Sequence, residues 1–292
     1  MRDYISGLSF IGFGEAAEAI STGWGKSVAG KAAGFDIKSQ QPQSAALPRE
    51  RAARAGVQLH EDRAPALSGA KAVFCLVTAD QAEKAAEECA ALLPEGAFWF
   101  DGNSCSPGAK RRAAATIEAA GGRYVDVAIM APVYPKMHRV PLLIAGPHAE
   151  EAAPLLEDLD MNARIMGPNV GDASTIKMLR SVMIKGMEAL SAECFLAARR
   201  AGIEDKVLAS LSASNPEIDW PERGAYNLER MMVHGRRRAA EMREVAITVE
   251  ELGLPNGLAA ATVDWQQKIG ELQLDPGEDS LTSRADAILG RI

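Results

Sequence analysis

The chain has 292 residues, 47% of them hydrophobic and 24% charged, with a net charge of -7 at neutral pH. That length can bury a substantial core and suggests two domains at ~100–200 residues each, while the acidic balance argues against nucleic acid or an anionic membrane surface as the main partner. No apolar run approaches the ~20 residues of a membrane helix, and the four cysteines, Cys75, Cys89, Cys105 and Cys194, lack metal-site spacing, so no metal is expected and a reducing cytoplasm fits.

Residues 1–4 lead toward the apolar run Leu8-Ser9-Phe10-Ile11, so no secretory signal is expected. Gly12-Phe13-Gly14-Glu15-Ala16-Ala17 follows and runs into a helical pattern over residues 16–22. A second strand ends at Ala33-Gly34-Phe35, and Asp36 stands at its tip, 22 residues after Gly14. This is G-x-G-x-x-A between a strand and a helix, with an acid one strand later. Gly12 allows the tight turn, Gly14 lets a pyrophosphate approach the backbone, and Ala17 lets the helix pack on the strand. The helix start offers N–H groups and a partial positive charge to phosphate. Asp36 can accept from a ribose 2′-hydroxyl, which favours NAD slightly over NADP. Lys38 and the basic helix of Arg49, Arg51 and Arg54 pull the other way, because a 2′-phosphate could recruit them.

The first half continues to alternate strands and helices, the mark of a parallel α/β sheet. Strands are expected over residues 57–59, 71–77, 97–100, 123–130, 141–145 and 164–166, and helices over 49–55, 80–93, 108–120 and 151–159. Thr78 and Ser104 fall at the C-terminal ends of two neighbouring strands, where open α/β sheets bind ligands. Both are placed at the ribose and nicotinamide end of a cofactor. Lys136-Met137-His138-Arg139 puts three potential cations in four residues beside the expected substrate region.

The pattern changes at Gly167-Pro168-Asn169. Residues 172–201 form one long helical pattern, and the rest is helical: 204–210, 221–232, 236–252, 258–272 and a short segment within 280–292. With Lys177 at zero on a wheel of ~100° per residue, Ser181 lies at about 40°, Glu188 at about 20° and Lys185 at about 80°. One face thus carries a polar stripe amid apolar residues. A lysine suits acid–base work because burial or nearby cations lower its pKa. Arginines at residues 236–238, read as a helix start, would oppose the helix dipole, so an anionic ligand or a partner subunit is expected to explain them, with His234 nearby.

Four segments together resemble the β-hydroxyacid dehydrogenases. The glycine loop is one. Asp101-Gly102-Asn103-Ser104-Cys105-Ser106-Pro107 is similar to that family's D-x-S-T-x-S-P segment, and Gly122-Arg123-Tyr124-Val125-Asp126 resembles the strand entering its substrate segment. Residues 167–177 are similar to its G-x-x-G-x-G-x-x-x-K catalytic helix. The C-terminal half resembles the branch whose 6-phosphogluconate-dehydrogenase-like C-terminal domain was once of unknown function. The resemblance implies a Rossmann-type NAD(P)-binding domain over 1–168, a long interdomain helix and an all-helical substrate and dimerisation domain over 169–292.

It also implies hydride transfer between the nicotinamide and a small anionic hydroxy acid or its keto form. Lys177 would be the general acid–base group, Ser181 would contact the substrate, and Lys136, His138 and Arg180 would hold its anion. The chain departs from the family where Met130 replaces a substrate-binding serine, Ser181 an asparagine, Ala240 a lysine and Glu241 the adjoining acid. An imine reductase, or a dinucleotide-binding regulator without catalysis, is therefore an alternative. The expected partners are a small-molecule substrate and a second copy of the chain.

Overall fold

The computed structural model describes residues 5–292; the lead-in at residues 1–4 lies outside the described residues. The chain divides into two compact units, Met1–Lys177 and Met178–Ile292. The first is built on a single sheet whose strands are β1 (Leu8–Ile11), β2 (Ala33–Phe35), β3 (Gln58–His60), β4 (Ala72–Cys75), β5 (Phe98–Asp101), β6 (Arg123–Ile129), β7 (Leu142–Ala145) and β8 (Ala163–Gly167). Their spatial order is β3-β2-β1-β4-β5-β6-β7-β8. Helices α1 (Glu15–Trp24), α2 (Lys26–Ala29), α3 (Ala46–Ala55), α4 (Arg63–Leu67), α5 (Ala82–Ala90), α6 (Pro107–Ala119) and α7 (Ala149–Asp158) connect them.

The order reverses between β2-β3 and β4-β5, with β1 at the junction, so the ends of β1 and β4 frame a crevice. Central strands are mostly apolar because helices cover both faces. Phe10, Phe74, Phe98 and Phe100 face one side, with Ile20, Trp24 and Leu156. Ile11, Val73, Trp99 and Tyr124 face the other, with Cys89, Ala113 and Ile117. The sheet is not wholly parallel: β7 runs antiparallel to β6, with Ile129 opposite Leu142. The connection over residues 130–141 holds only the 3-10 turn Met137–Arg139, too little structure for a crossover helix, so the chain folds back on itself.

The second unit is helical. Helix α8 (Asp172–Arg200) begins in the first unit and continues into the second, followed by α9 (Glu204–Ser214), α10 (Trp220–Glu251), α11 (Gly257–Glu271) and α12 (Leu281–Leu289). Phe195, Leu196, Leu228, Met231, Ile269 and Ile288 form its main core. One expectation fails here: residues 221–232 and 236–252 are not two helices but parts of the continuous α10. Gly235 interrupts the sequence pattern without interrupting the helix. A Cβ there would lie 2.4 Å from the Gln266 carbonyl, and one on Gly270 would lie 2.4 Å from the Arg236 nitrogen. The two glycines let the backbones of α10 and α11 touch.

Candidate active site

The glycine loop forms at the end of β1. Gly12 has φ +87, and a Cβ on it would sit 2.5 Å from the Leu76 carbonyl, so the turn excludes side chains. Gly14 caps α1 without a side chain to satisfy the first-turn N–H groups. A Cβ added to it would meet nothing within 4 Å, which leaves room for a phosphate at the helix start. Ala17 is buried against the sheet.

Asp36 closes the loop from the end of β2. Its Oδ2 accepts from the Phe13 N–H at 2.7 Å and its Oδ1 from the Lys38 N–H at 2.9 Å. The Lys38 side chain is exposed. Nearby, a cavity of about 270 Å³ is lined by Ser39, Arg49, Val57, His60 and Glu61. The arginines of α3 are committed within the unit: Arg51 and Arg54 pair with Glu18 at 3.2 and 2.8 Å, and Arg49 pairs with Glu61 at 3.1 Å.

Two residues far apart in sequence meet at the end of β5. Lys177 Nζ donates to Ser104 Oγ at 2.7 Å, and both side chains are half-buried. Beneath them lies a buried polar network that sequence reading did not single out. Lys110 Nζ donates to the Asp101 carbonyl at 2.6 Å and to Asp101 Oδ1 at 3.0 Å, and stands 3.5 Å from Asp126 Oδ1 in an ionic contact. Tyr124 donates its hydroxyl to Asp101 Oδ2 at 2.7 Å. Burial lowers the Lys110 pKa, but Asp101 and Asp126 outweigh it and hold the ammonium above its ordinary range. Burial, then Asp101, raises the Tyr124 phenol well above its own. A lysine within the alanine-rich α6 was the available signal.

Thr78, Lys136 and His138 are the remaining candidates of the first unit. Thr78 is exposed at the end of β4 and bonds the Asp80 carboxyl, which Gln81 and then Thr78 hold below the usual carboxylate range. Lys136 is exposed. His138 lies 3.5 Å from Asp160, which also pairs with Arg139, and a Cβ on Gly23 of α1 would sit against its Nδ1. Met130 packs with Ala128, Leu143, Ala145 and Ala173; a serine hydroxyl there would adjoin an apolar cluster.

Arg180 and Ser181 belong to the second unit. Arg180 is exposed and Ser181 buried, with Lys185 Nζ 3.5 Å from the Ser181 hydroxyl. The stripe that continues along α8 is not solvated. Lys185 pairs with Glu241 at 2.7 Å. Glu188 accepts from Arg238 at 2.8 and 3.0 Å and from Gln266 at 2.7 Å. Arg237 and Arg238 therefore lie inside α10, paired with Glu241 and Glu188, and no conflict with a helix dipole arises. Among the described residues no helix is long and apolar enough to cross a membrane, and no group of three or more His, Cys, Asp or Glu side chains could hold a metal ion.

A glycine turn, an uncapped helix start and an acid on the next strand define the dinucleotide-binding class of α/β proteins. Residues 198–269 match a family model described as a domain of unknown function, DUF1932. A conserved hypothetical protein from Sinorhizobium meliloti 1021 is 36% identical, with 98% of this chain and 96% of that one covered and a TM-score of 0.77. The conserved protein MTH1747, of unknown function and structurally similar to 3-hydroxyacid dehydrogenases, is 31% identical over 91% of this chain and 98% of its own, with a TM-score of 0.68. The 3-hydroxyisobutyrate dehydrogenase of Mycobacterium tuberculosis, with L-serine, shares the fold at 17% identity and a TM-score of 0.69, over 96% of this chain and 97% of that one. The chain belongs to the β-hydroxyacid dehydrogenase and 6-phosphogluconate dehydrogenase-like superfamily, in the branch carrying the DUF1932 domain.

Proposed function

We propose that the chain is an NAD(P)-dependent oxidoreductase that moves a hydride between the nicotinamide and a small anionic hydroxy acid or its keto form. The observation that carries this is the 2.7 Å hydrogen bond from Lys177 to Ser104 at the end of β5, on the sheet edge that also bears the glycine loop. Gly12, Gly14 and the start of α1 would hold the pyrophosphate and Asp36 the ribose, with Lys38, Thr78 and Ser104 along the cofactor. The nicotinamide supplies the hydride acceptor. In the oxidative direction the neutral Lys177 amine takes the hydroxyl proton as the carbon loses hydride; in reverse the ammonium protonates the forming alkoxide. Ser104 orients the amine. Ser181, Lys136, His138 and Arg180 are assigned to the substrate and its anion.

NAD is favoured over NADP. A 2′-phosphate would meet the Asp36 carboxylate, and the α3 arginines that could offset it are already paired with Glu18 and Glu61. The working form is proposed to be a homodimer, and the setting cytoplasmic. The test is a panel of small hydroxy and keto acids assayed with NAD(H) and NADP(H), wild type against Lys177→Ala. Turnover of an anionic hydroxy acid that depends on Lys177 supports the reading. A variant that turns over within a few-fold of wild type at neutral pH overturns the role of Lys177.

A further inference from the structure

Asp101 and Asp126 are direct neighbours across β5 and β6. Like charges opposite each other in a sheet repel, and here they do so out of water: Asp101 is 1% exposed, Asp126 0% and Lys110 0%. Lys110 lies between them and neutralises one charge. A buried ion pair is weak grounds for stability, since apolar side chains of similar volume often serve as well. What this group does hold is specific. Asp126 Oδ2 accepts from the Gly171 N–H at 3.1 Å and the Ser174 N–H at 3.0 Å, so a strand residue caps the first turn of α8. Asp101 Oδ1 accepts from the Asn103 N–H at 3.0 Å and its side-chain amide at 2.7 Å, which ties down the loop carrying Ser104. One carboxylate thus anchors the element bearing Lys177 and the other the element bearing its partner.

We propose that Asp101, Lys110 and Asp126 are positioning residues: they lock the Ser104 loop and the first turn of α8 to adjacent strands, so that the Lys177 amine meets the Ser104 hydroxyl before any ligand arrives. The inference rests on the reading of Lys177 as the acid–base group. Lys110 holds the two carboxylates side by side, and through them the distance between Lys177 and Ser104.

Two measurements on the full chain test it. Hydrogen exchange read by mass spectrometry should show the peptide over residues 169–177 exchanging ~10-fold faster in Asp126→Ala, the scale of one lost hydrogen bond, while the glycine-loop peptide stays unchanged. Asp126→Asn keeps an acceptor for both N–H groups and should restore most of the protection, which also guards against a variant that does not fold. Lys110→Met should loosen both 102–106 and 169–177. With the acid found active in the panel, Asp126→Ala and Lys110→Met should lower kcat ~10–100-fold, as a small misplacement does, with cofactor affinity and KM within about three-fold. In a Lys177→Ala background Asp126→Ala should cost nothing further, because the effect passes through Lys177.

Uniform loosening of the first unit, unchanged exchange over 169–177, or additive losses in the double variant would each overturn the proposal. A fully active Lys177→Ala together with local loosening in Asp126→Ala would leave the lock standing and remove the acid–base reading instead.

Discussion

An amine that donates to a hydroxyl 2.7 Å away has lost much of the rotamer freedom of a free lysine, and a general base works best when its lone pair is already aimed. Replacing Lys177 by alanine should therefore lower kcat by ~10²–10⁴-fold, the usual contribution of a general acid–base group. Cofactor affinity, followed by quenching of protein fluorescence, should stay within a few-fold of wild type. Asp36 makes a second prediction at this scale. Its carboxylate is anchored by the Phe13 and Lys38 N–H groups and presents fixed negative charge where the ribose is assigned. Wild type should show the higher kcat/KM with NAD. Asp36→Ala should move the NADP-to-NAD ratio of kcat/KM upward ~10-fold, about the worth of one such interaction; an unchanged ratio would place the discrimination elsewhere. The glycines, Asp36 and Lys177 stand out in the sequence as candidates because each has a local signature. The sequence did not single out Lys110, because a lysine in an alanine-rich helix is only a weak local signal and its exposed neighbours Arg111 and Arg112 look the same in sequence.

Among the elements, α10 is the most instructive. Its glycine at position 235 lies between the two helices expected from the sequence, and a glycine inside a helix costs ~1 kcal/mol relative to alanine. In the structure that cost is offset by the close approach of α11 at Gly270. Gly235→Ala should gain helix propensity and still destabilise the second unit by about 1–3 kcal/mol, the usual penalty of overpacking, seen as a lower Tm in a calorimetric scan. The same helix carries a pH effect. Burial, with Arg230, Arg237 and Arg238 beside it, pushes the His234 imidazole from 6.5 down to about 4. Between those values the unfolded chain binds a proton that the folded one does not, so stability rises with pH across the window. The contribution is present above about 6.5 and lost as pH falls through it toward about 4. Urea midpoints measured at pH 7 and pH 5 should converge more in His234→Gln than in wild type; an equal drop in both would assign the acid sensitivity to other groups.

For the whole molecule the open surface of α8 carries the argument. Leu179, Met183, Met187 and Leu190 share one stripe of the helix, with Met183 64% and Leu190 70% exposed. Phe195 and Leu196, further along the same helix, are buried in the core of the second unit. An exposed apolar stripe is a usual site for self-association. Light scattering at micromolar concentration should give about twice the 31.0 kDa chain mass, and Met183→Glu with Leu190→Glu should return a monomer. A wild-type chain that is monomeric and fully active on dilution would remove the dimer from the proposal.

The fold class was legible in the sequence because it rests on short-range regularities. Apolar strands alternate with helices, a glycine turn precedes an acid at strand spacing, and the helical period runs on without proline after Asp172. Each of these is written within a few tens of residues. What only the tertiary structure decided depends on residues brought together across the chain. β7 turns back because 130–141 holds no crossover helix, a fact visible in hindsight only through the pairing of Ile129 with Leu142. Gly235 gains its purpose only where Gly270 lies against it. The basic cluster of α10 reads as a ligand site until Glu188 and Glu241 face it. Lys110 acquires a role only when Asp101 and Asp126, 25 residues apart in the chain, become neighbours in the sheet. Charge and close contact act through space and leave no period in a sequence, whereas backbone geometry repeats along the chain and does.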